Sequence, residues 1–235
     1  MKIMLLLSTG IFCSVSAFAQ GTVIFDNRVS TVAISHVYLP SPTSPGVVQI
    51  GNGPSDYPAG TTDWTGWNPV SGNGFSAQLF AAPGANIPRE SLVPGFPITT
   101  FRTGLTAGFV DDVTATLTGV PRLAAVATIQ MRVWDNQGGT ILDWTIANAQ
   151  PPGTELMGMS ARINVAAIGS DTAPPPALVG LQSFNLTYNV PEPSPFTLVS
   201  IGALWLWLAW FRKCGNLLSN PCSKFDPEHT RSWGE

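Results

Sequence analysis

The chain has 235 residues, only 11% of them charged, and a formal net charge of −3. Residues 20–189 hold six Arg, no Lys, eight Asp and two Glu, a net charge of −4 with no basic run, which argues against nucleic acid and anionic membrane surfaces as partners of this stretch. The three cysteines, Cys13, Cys214 and Cys222, all lie outside it, so disulfides, thiolate nucleophiles and cysteine-based zinc sites are excluded from it.

At the start of the chain, Lys2 precedes an apolar run from Ile3 to Val15, and Ala17 and Ala19 occupy the small-residue positions that a signal peptidase reads. Residues 1–19 are therefore expected to be a signal peptide, cut after Ala19. Cys13 invites a lipoprotein reading, but the bulky Phe12 stands where a small residue is required, and Cys13 fits the apolar core of the signal instead.

Residues 20–189 match the size of one domain able to bury a core. Short runs rich in β-branched and aromatic residues predict strands over 21–25, 32–38, 75–81, 107–110, 113–118, 124–134, 160–167 and 182–188. In the longest, Ile129, Met131 and Val133 alternate with Thr128, Gln130 and Arg132, and the run ends at Asp135-Asn136-Gln137-Gly138-Gly139. That composition predicts a tight turn, with 140–146 returning as the second arm of a hairpin and Trp134 and Trp144 near its two ends. Pro and Gly punctuate the links at 40–46, 51–54, 68–69, 83–84, 94–95 and 151–153, leaving no room for a helix of about eleven residues. The expectation is a single mainly β domain of the β-sandwich or jelly-roll kind. The proline segment 171–176 is read as a bridge to a last strand, because Leu181, Phe184 and Leu186 beyond it are too apolar for a solvated stalk.

Residues able to do chemistry are few. His36 is the one histidine of the body, and no Gly-x-Ser-x-Gly elbow accompanies it, so Ser-His-Asp catalysis has little support and His36 reads as an ordinary residue at a strand end. Glu90, Asp111, Asp112, Asp135, Asp143 and Glu155 could supply a carboxylate pair, although spacing alone does not bring two together, and Asp111-Asp112 reads as a turn between strands. Calcium, Ca2+, is the one cofactor candidate, since bound loops would steady a body without disulfides, yet no Asp-x-Asp-x-Asp-Gly loop occurs. Trp64 and Trp67, in the Gly-containing segment 63–69, are candidate ligand-binding residues that could stack on sugar rings; burial under a long loop explains them equally well.

Near the end, Pro191-Glu192-Pro193 leads into an uncharged run of 17 residues, 195–211, that is followed by Arg212-Lys213. This arrangement resembles the PEP-CTERM sorting signal of exported bacterial proteins, and the resemblance implies a transmembrane helix and processing by a membrane-embedded exosortase. The basic pair would stay in the cytoplasm, leaving the body on the far side of the membrane. Segments 19–27, 75–80, 101–104, 120–121, 127–135 and 179–184 together are similar to a group of PEP-CTERM proteins with a shared β-rich body, which implies a recurring fold alone and says nothing of function. Against the sorting pattern, 22 residues of polar tail, 214–235, follow Lys213. The division expected is thus signal peptide 1–19, body 20–189, sorting signal 190–213 and tail 214–235. The function expected is that of an exported, non-enzymatic surface or extracellular-matrix protein. Two alternatives stand beside it, a carbohydrate-binding or glycan-associated β-sandwich module, with polysaccharide as its partner, and a permanently anchored single-pass membrane protein.

Overall fold

A computed structural model of the chain describes residues 20–170 and 172–189. The expected signal peptide with Ala17 and Ala19, the Pro191-Glu192-Pro193 element, Arg212, Lys213 and the tail lie outside the described residues, which all belong to one compact unit ending at Val190. In chain order the elements are β1 (Gln20–Phe25), β2 (Arg28–Val29), β3 (Ala33–Ile34), β4 (Val37–Tyr38), β5 (Phe75–Pro83), β6 (Val93–Pro94), β7 (Val113–Pro121), β8 (Val126–Asp135), α1 (Trp144–Asn148), β9 (Leu156–Met159), β10 (Ile163–Ala166), β11 (Phe184–Asn185) and β12 (Thr187–Tyr188). The body is mainly β, as the strand-rich composition and dense turns require.

β8 is the central strand. Along one edge it pairs antiparallel with the whole of β5, from Phe75 opposite Asp135 to Pro83 opposite Ala127. Its other edge is shared, with β10 at the Val126 end and β9 at the Trp134 end. The ladder β1–β7 is separate, and its alternating burial, with Val23, Phe25, Ala115 and Leu117 inward, is that of strands with one wet face. Single backbone pairs join the ladders. Gly95 N–H donates to Leu79 O (2.8 Å), and Phe96 and Thr116 exchange bonds of 2.9 and 2.6 Å. On the far side Thr22 and Gly169 exchange bonds of 3.1 and 3.0 Å. Pairing therefore runs from β8 through β5, the 95–99 segment, β7 and β1 to Gly169, which lies three residues beyond the end of β10 in the chain, and β10 in turn pairs with β8.

Within this circuit lies the principal core, including Val23, Phe25, Leu79, Leu117, Ile129, Met131, Val133 and Val165. Each such side chain withdrawn from water stabilises the fold by about 1.5–3 kcal/mol. Leu178, Leu181, Phe184 and Leu186 join it, so the chain beyond the proline segment does return to the core. The opposite face of β8 is also covered. Trp134, fully buried, packs with Phe80, Leu92, Ile141, Trp144 and Met157, and its Nε1 donates to Ile141 O at 3.0 Å.

Several local expectations are corrected. Residues 140–146 do not return as a hairpin arm: both edges of β8 are already taken, and Asp143 Oδ1 instead accepts from Ile146 N–H (2.9 Å) to cap α1. Ile141, Trp144 and Ala147 are buried at a spacing of three, the period of a helix rather than a strand. Trp134 and Trp144 do meet, edge to face with centroids 6.3 Å apart. The run 32–38 is broken into β3 and β4, and 107–110 contributes a single bridge, Val110 with Phe101. Asp111 and Asp112 sit exposed in the link from that bridge into β7 and form no turn. β9 was not expected, because Gly158 interrupts a short run whose apolar residues do not alternate with polar ones. No helix among the described residues is long and apolar enough to cross a membrane.

Candidate functional site

Three residue types associated with hydrolytic catalysis meet where β4, the 50–60 loop and β11 converge. His36 Nδ1 donates to Asp56 Oδ1 at 2.6 Å, and Ser183 Oγ donates to Asp56 Oδ2 at 2.8 Å. Ser183 Oγ also accepts the His36 backbone N–H at 2.6 Å, and Asp56 Oδ2 accepts from Gly53 N–H at 2.6 Å. A nucleophilic serine gives its proton to the histidine. Here the proton points at the aspartate instead, and Ser183 is fully buried. The three residues are a staple that ties one loop to two strands, in keeping with the structural reading of His36. Burial by itself would raise the Asp56 carboxyl, but the hydrogen bonds from His36, Gly53 and Ser183 outweigh it and hold the group below its ordinary 3.8. Gly108 passes so close, at φ +87°, that a Cβ there would meet His36 Cδ2 at 3.2 Å.

The tryptophan pair lies beside the staple. Trp64 is buried (8% exposed), its Nε1 donates to Gly51 O at 2.9 Å, and one face is stacked on Tyr38 at 4.4 Å between centroids with the planes 14° apart. Trp67 stands edge-on against it at 5.1 Å and is half-buried. Trp64 is therefore not an open sugar platform, because the Gly-containing loop folds inward and seats its indole on Tyr38. Burial, and then the charge of Asp56, push the Tyr38 hydroxyl up to about 12.

The fold scatters most of the carboxylates. Asp143 caps α1, Asp111 Oδ2 accepts from Thr100 Oγ1 at 3.2 Å, Asp112 pairs with Arg102 at 3.0 Å, and Glu90 flanks Arg89 at 3.5 Å. Asp135 and Glu155 are brought near one another. Glu155 is fully buried, its Oε2 accepts from Gln137 Nε2 at 2.8 Å, and its Oε1 has no hydrogen-bond partner. Burial first, with the charge of Asp135 added, raises this carboxyl above its ordinary value, the bond from Gln137 opposing. Among the described residues no three His, Cys, Asp or Glu gather as a metal-holding group.

Sequence reasoning missed the place where positive charge concentrates. A 3-10 turn, Arg89–Ser91, and the link between β9 and β10 face each other across an open cleft of about 660 Å³, lined by Arg89, Glu90, Gln130, Ser160 and Arg162 among others. Arg132 lies beneath, its guanidinium 3.9 Å from the Phe80 ring centroid and Nη2 donating to Arg89 O at 3.2 Å. Burial, followed by the charge of Arg89, lowers Arg132 to about 10, with Glu90 opposing. Three of the six body arginines thus share one corner. Residues 89 and 162 lie far apart in sequence, and no local pattern announces that they meet; the polar alternation of β8 marked Arg132 and Gln130 alone.

These features define a mainly β body in which His36, Asp56 and Ser183 are wired into the fold, Glu155 keeps one unpartnered oxygen, and an arginine-lined cleft opens on the surface. No family model, no curated protein and no solved structure matches the chain.

Proposed function

We propose that this is an exported, non-enzymatic protein of the cell surface or extracellular matrix, passing through a membrane-anchored intermediate and sorted through Pro191-Glu192-Pro193 and the apolar segment after it. The observation that carries the reading is the order of signals in one chain: Lys2 with its apolar run and Ala17/Ala19 at one end, and the Pro-Glu-Pro element, 17 uncharged residues and Arg212-Lys213 at the other. Export machinery, signal peptidase and an exosortase-type enzyme are the partners this implies. Support comes also from the end of the body, where Asn189 is fastened two residues before Pro191. Its carbonyl accepts from Gly153 N–H (2.8 Å), its Oδ1 from Thr154 and Glu155 N–H (3.2 and 3.1 Å), and its Nδ2 donates to Gln150 O (2.9 Å). A compact body closed off at that point suits a chain meant to be severed or held just beyond it. The finer architecture we propose for the body is of the sandwich or jelly-roll kind, on the ground that opposing strands of the pairing circuit share one core.

The non-enzymatic part of the reading is supported by the wiring of His36, Asp56 and Ser183, in which the serine proton is committed to a carboxylate. Intact-mass measurement on protein recovered from the host surface tests the sorting. The expected species starts at Gln20 and ends near Pro193. Recovery of a surface chain that still carries Glu235 would replace sorting by permanent single-pass anchorage.

A further inference from the structure

We propose that the cleft between the Arg89–Ser91 turn and the β9–β10 link binds a polysaccharide bearing carboxylates, with Arg89 and Arg162 holding the acid groups and Glu90 accepting sugar hydroxyls. The proposal is independent of how the chain is sorted. Its basis is a mismatch in charge: the body is net negative, yet Arg89, Arg132 and Arg162 crowd one corner where Glu90 is the acidic residue of the lining. A planar guanidinium matches a carboxylate through two parallel hydrogen bonds, and Arg89, which lies 3.5 Å from Glu90, and Arg162 line the same cleft, so two such matches can follow one another along a chain of acidic sugars.

The cleft is built in advance. Asn86 N–H donates to Asn164 Oδ1 and Asn164 Nδ2 returns a bond to Asn86 Oδ1, both at 2.9 Å. Thr128 Oγ1 accepts from Ile87 N–H at 3.0 Å, and Arg162 Nη1 donates to Ile87 O at 2.8 Å, so the rim loop is pinned to β8 and β10. On the floor, Gln130 is buried with Nε2 donating to Ser160 O at 3.0 Å and Oε1 accepting from Arg132 Nε at 3.1 Å. A ligand meeting these walls loses little to reordering of the protein. Glu90, whose side chain is 73% exposed, selects among anions. A bare sulfate or phosphate polymer would face its like charge, whereas a carboxylated sugar presents hydroxyl donors to it while its acid turns to the arginines.

The test uses the full-length chain in a detergent without a sugar headgroup, titrated calorimetrically at low salt with three polymers: polygalacturonate, its fully methyl-esterified form, and dextran sulfate. Polygalacturonate should bind at least about tenfold more tightly than either of the others, and Arg162→Gln should weaken it by about tenfold or more. Glu90→Gln, at a side chain that is 73% exposed, should weaken polygalacturonate as well. If Arg162→Gln disturbs the rim and thermal unfolding shows it, the Glu90→Gln result decides alone. Equal binding of the methyl ester, unchanged affinity in Arg162→Gln with an intact fold, or tighter binding of both anionic polymers by Glu90→Gln would overturn the proposal, the last reducing the cleft to an undiscriminating positive patch.

Discussion

Asp56 and Glu155 are carboxylates in two buried regions of one body, and their surroundings treat them in opposite ways. Asp56 sits between loop and strands with three donors aimed at its two oxygens and lies below its ordinary 3.8. Glu155, just before β9, receives one donor, keeps one oxygen without a partner, and lies above its ordinary 4.5. Burial is common to both. What differs is the supply of N–H and O–H groups, and the comparison teaches that a withdrawn charge strengthens a fold only where donors replace the water it lost.

The largest effect should come from emptying the better-served site. Asp56→Ala leaves Gly53 N–H, the Ser183 hydroxyl and His36 without their acceptor, and urea unfolding of residues 20–189 should show a loss of about 3–5 kcal/mol, since each buried donor left unpaired costs about 1–3 kcal/mol. A loss below about 1 kcal/mol would mean the staple is decoration. Trp64→Ala should cost about 3–5 kcal/mol as well, because a buried indole stacked on Tyr38 leaves a cavity over the same region. Trp67→Ala, at a half-buried ring, should cost less than half of that. If the two tryptophans fell together within a few tenths of a kcal/mol, the inward fold of the loop would be in doubt.

Acid should separate the two regions further. Asp56 binds its proton less readily in the folded chain, so the stability it contributes is present above its unfolded value near 3.8 and is lost as pH falls through its lower folded value. Asp56→Asn should therefore flatten the acid limb of the stability curve below about pH 4, read as urea midpoint against pH. The smallest effect is a null one: reductant should leave the unfolding of residues 20–189 unchanged, since no cysteine lies in that segment.

Much of the strand content was legible in the sequence because period-two patterning reports one-sided strands directly, as in β1, β7 and the inward face of β8. The turn after Asp135 was legible too, but its consequence was not: Asn136 to Gly139 turn the chain without returning it as a strand, since β5, β9 and β10 had filled both edges of β8 from elsewhere in the chain. Burial of Gln130 and Arg132 was hidden for a related reason. A polar face on a strand reads as wet, and only the covering turn at Arg89 and the pairing with Met159 make it interior. The staple was half visible. His36 stood out as a lone histidine, but Asp56 and Ser183 were ordinary turn-type residues until the 127-residue separation between them closed. The cleft was not visible at all, because its arginines are brought together by pairing register and not by spacing.

The most direct test of the claim that these buried polar groups are ranked by their donors is the Glu155→Gln variant, followed by urea midpoint from pH 7 down to pH 4. The folded chain holds the Glu155 proton more tightly than the unfolded chain does, so wild-type stability should fall as pH rises through the window just above 4.5. Gln removes that loss, so the variant should be more stable than wild type at pH 7, and the gap should close as pH falls toward 4. A variant less stable than wild type at pH 7, or a gap that does not change with pH, would contradict the account.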